Sequence, residues 1–173
     1  MVGFGLSNDE RRGMTAAFAS AFRIAERAGL RLVPHGGELL GPAHITQCLD
    51  ALHAGRLGHG VRSAEDPALL ERIVRDGVAL EVCPVSNVAL GVYSDLTSVP
   101  LPTLLEAGAT VALGADDPLL FGSRLLGQYA AMRAAHELDD TQLAELARMS
   151  VRASAAPSDV RQRLLTGIET WLS

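Results

Sequence analysis

The sequence has no lysine, and all fifteen of its basic Lys/Arg positions are arginine. Those arginines are scattered. They make neither a basic run nor a basic–aromatic stripe, and the net charge is −5, which argues against a nucleic-acid partner. Cysteine is scarce. Cys48 and Cys83 form no CxxC, so neither a thiolate metal knuckle nor a disulfide framework is expected, only ordinary buried thiols. No apolar stretch approaches the ~18 residues that span a bilayer, and no charged segment precedes a short apolar one as in a leader peptide. No membrane is therefore expected, and the default location is cytoplasmic. Low-complexity segments and repeats are absent too.

What is present is a folding composition. Residues are 48% hydrophobic and 20% charged over 173 positions, enough for a single domain spanning 1–173 with a sizeable core. Hydrophobic periodicity then gives an alternating order. Strands are expected at 1–6, 30–35, 56–60, 78–83 and 109–114. Between them lie helical stretches at 11–28, from Pro42 to Gly55, from Pro67 to Gly77, and at 102–107. The first carries Phe18, Ala21, Phe22 and Ala25 as its apolar stripe, the second Ile45, Leu49 and Leu52. Asp66-Pro67 is an N-cap followed by a proline at the first helical position. Helices at about 119–137, 139–152 and 157–172 complete the chain. Strands alternating with helices at this spacing mean parallel strands joined by right-handed crossovers, an α/β architecture.

The strands share a second property. Each ends in polar or glycine-rich residues: Ser7-Asn8-Asp9-Glu10, His35-Gly36-Gly37-Glu38, His59-Gly60, Cys83-Pro84-Val85-Ser86-Asn87 and Gly114-Ala115-Asp116-Asp117-Pro118. The C-terminal ends of parallel strands are where βα folds place their chemistry. One such ending is ordinary loop composition, but five successive ones point to an active-site edge. His35 and His59 are natural ligands or acid–base groups there, and Glu38 is a proton carrier. Asp116 and Asp117 are neighbours on a strand end, so their side chains should point to opposite sides and do different work. Histidine and carboxylate ligands suit Zn²⁺ or another divalent cation that acidifies a water, the logic of metal-assisted hydrolysis. His44, His53 and His136 fall within expected helices and are read as surface or core histidines. Asp116-Asp117-Pro118 has a plainer reading as a cap for the helix that follows.

In this order, HGGE (35–38), LGHG (57–60), EVCPVSN (81–87) and GADDP (114–118) resemble the C-terminal half of the adenosine deaminase family. The family's forms are HAGE, Gly-His-Gly, Cys-Pro-x-Ser-Asn and Asp-Asp-Pro. GFGLSNDE (3–10) stands where that family has its fourth strand ending, and the helix-rich tail fits as well. The resemblance implies a (β/α)₈ barrel of the TIM type with one catalytic zinc, here incomplete, with about strands 4 to 8 plus the C-terminal helices. It implies hydrolytic deamination of adenosine or a related 6-aminopurine nucleoside: water attacks C6 and ammonia leaves. His35 and Asp116 would be zinc ligands. Glu38 would protonate the purine N1, and His59 would orient the attacking hydroxide. Gly37, Asp117 and Asn8 would meet the substrate, Asp117 on its N7 side. The glycines of HGGE would clear the way for a flat base.

Two departures matter. The family draws two further zinc ligands from a His-x-His pair on its first strand, and this sequence contains no His-x-His. Two ligands do not close a zinc site, so the isolated chain is expected to bind zinc weakly and turn over little. The second departure is Asn8, which replaces a family glycine at the substrate edge. An incomplete barrel also exposes strand edges and an apolar face that call for a partner. Three forms satisfy that need: a chain whose missing N-terminal half lies upstream, one of two chains that build a barrel together, or a homo-oligomer. The competing reading is a non-catalytic deaminase-like fragment or pseudoenzyme stabilised by self-association. A third is another βα hydrolase using His35 and Asp116 without zinc.

Overall fold

A computed structural model of the chain describes residues 1–7 and 9–173. The expected alternation is present. In chain order it runs β1 (Gly3–Leu6), α1 (Ala19–Arg27), β2 (Arg31–Gly36), α2 (Pro42–Leu52), β3 (Arg56–His59), α3 (Pro67–Arg75), β4 (Ala79–Val82), α4 (Pro84–Ala89), α5 (Leu101–Glu106) and β5 (Thr110–Leu113). Helices α6 (Pro118–Phe121), α7 (Leu125–His136), α8 (Asp140–Ala153) and α9 (Ser158–Leu172) follow. The chain forms two compact units. One comprises Met1–Val82 with Pro100–Ala109, the other Cys83–Val99 with Thr110–Ser173.

The first unit contains the sheet β1-β2-β3-β4, each strand parallel to its sequence neighbour. The register is set by pairs such as Phe4 with Leu32, Gly36 with His59, and Leu57 with Leu80. Helices cover the sheet because each carries an apolar stripe at helical spacing. Phe22 and Ala25 of α1 pack with Leu32 and Leu52, and Phe4 meets Phe22 edge to face with ring centres 5.0 Å apart. On α2 the buried face is Ile45, Cys48, Leu49 and Leu52, and on α3 it is Leu69, Leu70 and Ile73. Asp66 caps α3 as its sequence predicts, its side chain accepting from the amides of Ala68 and Leu69.

Several boundaries differ from the sequence reading. Residues 15–18 form a 3-10 turn instead of the first turns of α1, and Phe18 is largely exposed there. Helix α2 ends at Leu52 rather than Gly55, because His53 takes the left-handed conformation (φ 52°) and closes it. In the second unit, the strand ending at Cys83 turns at once into helix α4, started by Pro84 at the first helical position. The long helix expected over 119–137 is broken: Gly122 (φ 66°) ends α6, and α7 begins three residues later at Leu125.

The second unit is built around β5, α7 and α8. Val111, Leu113, Met132, Leu143, Ala144 and Leu146 are among its buried apolar residues. Helix α8 opens with a reciprocal capping box between Asp139 and Gln142. The fully buried amide of Gln128 fastens α7 to α4, accepting from the Val85 amide at 3.1 Å and donating to Ser123 Oγ at 3.1 Å. Arg148 of α8 holds Glu169 of α9 at 2.8 Å. Among the described residues, no helix is long and apolar enough to cross a membrane.

Candidate functional site

The C-terminal ends of β2 and β3 bring three predicted residues together. His35 is the penultimate residue of β2, His59 the last of β3, and Glu38 follows on the loop after β2. The β2–β3 register sets Gly36 beside His59. The rings of His35 and His59 consequently meet edge to face, their centres 4.9 Å apart. Glu38 Oε1 lies 3.4 Å from His59 Nδ1, and the two side chains are 7% and 3% exposed. A carboxyl and an imidazole so withdrawn from water interact strongly.

Backbone conformation marks two of the strand endings. Among the described residues, four non-glycine residues have positive φ: His53, His59, Asp116 and Glu137. His53 and Glu137 close α2 and α7, an ordinary use of the left-handed region. His59 (φ 67°) and Asp116 (φ 54°) have no such reason. Both follow or end a strand, and both carry site chemistry in the sequence reading. Strain of this kind, costing about 1–3 kcal/mol, persists where surrounding structure enforces it, characteristically at functional sites.

The loop carrying Glu38 is tied down from several directions. Gly60 N–H donates to Gly36 O at 2.8 Å, and Arg62 N–H to Gly37 O at 3.1 Å. The Arg62 guanidinium donates to Leu39 O at 3.0 Å. Glu10 supplies the firmest tie. Its carboxylate accepts from the amides of Glu38 (3.1 and 3.2 Å), Leu39 (2.9 Å) and Leu40 (2.8 Å). His44 Nδ1 stands 3.6 Å from Glu10 Oε2, and His44 Nε2 lies 2.9 Å from Thr15 Oγ1. Burial pushes the Glu10 carboxyl up, but the bonds from His44 and the Leu40 and Glu38 amides, with the His44 charge, outweigh it and leave it below its ordinary value. Sequence reading placed Glu10 among the polar strand endings without giving it a task, and took His44 as a surface or core histidine. It is a core one, buried between Glu10 and Thr15.

The glycines of HGGE also have a packing reason. A Cβ on Gly36 would stand 2.9 Å from Cys48 Sγ, and one on Gly37 only 2.4 Å from Ile45 Cδ1. Both directions point into the packed protein, against α2. Gly37 also has φ 79°, which favours glycine in its own right. Close packing under the loop is one thing these glycines provide.

In the second unit, Asp116 and Asp117 follow β5. Asp117 is exposed, and Asp116 lies at the surface beside it. Asp117 is the N-cap of α6, its Oδ1 accepting from Leu119 N at 2.9 Å and Leu120 N at 3.0 Å. The plainer reading of Asp117 is thus realised. Asn8, the expected substrate contact in the first strand ending, lies outside the described residues.

The donor set can be tested against a divalent metal by its chemistry. Two imidazoles at one strand edge, one half-buried and one buried, are borderline ligands of the kind Zn²⁺ takes. A buried carboxyl beside them is the companion such a centre uses for proton transfer. The residue types therefore fit, although His35 and His59 alone do not make the three protein ligands of a catalytic zinc.

Parallel strands thus bring two histidines and a buried acid to one set of strand ends, where βα folds place their chemistry. The comparisons give the family. The adenosine deaminase family model matches residues 1–171. A putative adenosine/adenine deaminase of Streptomyces virginiae is 62% identical over 173 residues, all of this chain and 51% of that protein. The crystal structure of adenine deaminase from Arthrobacter aurescens superposes with a TM-score of 0.95 at 34% identity, over 99% of this chain and 53% of that one. An amidohydrolase from Burkholderia ambifaria, solved with bound zinc, shares the fold with a TM-score of 0.88 at 20% identity, over 99% of this chain and 48% of that one. The chain belongs to the adenosine deaminase family. It carries part of that family's (β/α)₈ architecture and spans about half the length of the curated relatives it matches.

Proposed function

We propose that this chain supplies the proton-transfer side of a centre that hydrolytically deaminates a 6-aminopurine. Glu38 gives its proton to the ring N1 while water adds at C6. The C6–N bond then breaks, ammonia leaves, and a 6-oxopurine remains. His59 holds the incoming oxygen in line and stabilises the charge that develops there. A divalent metal, when bound, makes the attacking water a nucleophile at neutral pH, and His35 and Asp116 are the residues of this chain that would hold it. Asp117 and the Gly37 backbone would meet the purine.

The observation carrying this reading is the Glu38–His59 pair, 3.4 Å apart and nearly closed to solvent. A general acid needs that shielding, because a proton is best delivered from a positioned group out of competition with bulk water. Relatives named as adenine deaminases or adenosine/adenine deaminases favour adenine or adenosine as substrate. A second reading also has an observation behind it. With no His-x-His in the sequence, the chain by itself lacks the family's other two ligands, and a non-catalytic chain held by self-association would need none.

The test is ammonia release from adenine and from adenosine with added Zn²⁺. It is run on the chain alone and on the chain mixed with the N-terminal half of the Streptomyces virginiae relative. The mixture should be active, and Glu38→Gln should remove the activity while leaving zinc uptake in place. Activity that survives Glu38→Gln would show that another group donates the proton. Silence in both preparations would favour the non-catalytic reading.

A further inference from the structure

We infer that Glu10 is a positioning residue for Glu38, acting as a built-in anion that fixes the loop on which the proton donor sits. This rests on the reading of Glu38 as that donor. Three successive amides, those of Glu38, Leu39 and Leu40, converge on one carboxylate at 2.8–3.2 Å. Successive N–H groups aimed at one point form a concavity that favours negative charge. Such concavities commonly receive a ligand's phosphate or carboxylate. Here the protein fills its own, from a side chain 28 residues earlier in sequence. The Glu10 side chain is only 1% exposed, so water cannot take its place.

The geometry gives the contact direction. The first of the three amides belongs to Glu38 itself, so the backbone of the proton donor is anchored directly. From that anchored backbone the Glu38 side chain reaches His59 at 3.4 Å. Glu10 is in turn held by His44 at 3.6 Å, and His44 by Thr15 at 2.9 Å. The chain of contacts Thr15–His44–Glu10–loop–Glu38–His59 thus links the turn after β1 to the ends of β2 and β3. Helix α2 starts just past the loop, with Gly41 as its N-cap.

Chemical rescue separates a carboxylate's task from a merely structural one. In Glu10→Ala the three amides keep their directions and lose their anion, so formate should enter the concavity and restore it. Two readouts are used. The first is the ring nitrogen NMR signals of His59 together with amide hydrogen exchange at Leu39 and Leu40, measured on the chain itself and independent of turnover. Glu10→Ala should shift the His59 signals toward those of Glu38→Gln and raise exchange at both amides, and formate should reverse each change while chloride does not. The second is kinetic, in the active mixture described above. There kcat should fall about 100-fold with KM nearly unchanged, as a misplaced catalytic group predicts, and formate should recover part of it.

Where Glu10→Ala does not fold, Glu10→Gln fills the same volume without the charge and should produce the same His59 and amide changes. Unchanged His59 signals and unchanged exchange in the folded variant would overturn the inference. So would a loss that formate and chloride repair equally. If the mixture is inactive throughout, the deaminase reading fails, while the NMR arm still decides whether Glu10 positions Glu38.

Discussion

Replacing Gly37 by alanine offers a sharp check on the packing argument, because two separate costs can be told apart. The first is conformational. Gly37 has φ 79°, and an alanine held in left-handed backbone costs roughly 1–2 kcal/mol. The second is steric. The new methyl would stand 2.4 Å from Ile45 Cδ1 and 2.5 Å from Ile45 Cγ1, on the buried face of α2. Ile45 is fully buried and cannot swing into solvent, so overpacking adds roughly 1–3 kcal/mol. Gly37→Ala should therefore destabilise by about 2–5 kcal/mol in all. Ile45→Ala removes both clashing atoms and by itself costs about 2–5 kcal/mol as a cavity. In the double variant the methyl added at position 37 enters that cavity, and only the conformational cost of Gly37→Ala should remain. The coupling energy from urea midpoints should then be about 1–3 kcal/mol in favour of the double variant. Additive losses would refute the reasoning, since they would mean that the Cβ direction at Gly37 does not face Ile45.

Two more outcomes follow from the same structure. Burial, aided by the Glu10 charge, pushes the Cys48 thiol up from 9.0 to about 12. A proton held more tightly in the folded chain than in the unfolded one stabilises fully below pH 9. That contribution falls away as pH rises from 9 towards about 12, so urea midpoints across this window should decline less steeply in Cys48→Ala. Asp117→Ala should remove the cap of α6, costing about 1 kcal/mol locally, and raise amide exchange at Leu119 and Leu120. Exchange left unchanged there would mean that the cap is dispensable.

How much of this was open to a reader of the sequence alone depends on the range of the interaction concerned. Asp66-Pro67 announces the start of α3 because a cap bonds amides two and three residues away, and the structure has that bond. Alternating apolar strands and helical stripes give a parallel α/β order because period 2 and period 3.6 are local properties of the chain. His35, Glu38 and His59 could be nominated for the same reason: each sits at the end of a legible strand, and parallel pairing puts strand ends side by side. Local signals failed where two of them competed. Pro84 starts a helix inside what read as a strand ending, and Gly122 breaks a helix whose apolar content runs straight through it.

Glu10 and His44 mark the limit from the other side. Nothing near Glu10 in sequence says that it will be buried, or that three amides from the next strand ending will close around it. Its partners lie 28 to 30 residues on, and only packing of α2 against the turn after β1 brings them together. His44 shows an apolar-helix spacing that suits a core histidine, and its bond to Thr15 spans 29 residues. The tight packing at Gly37 was likewise visible only in what stands opposite it, since sequence shows that a Cβ is missing but not what it would have met. The sequence by itself determined the order of strands and helices and nominated the residues at their ends for chemistry, because propensity, capping and periodicity act within a few residues. Tertiary structure alone decided how that chemistry is held in place, because a buried carboxylate acquires its task from groups that the chain brings to it from far away.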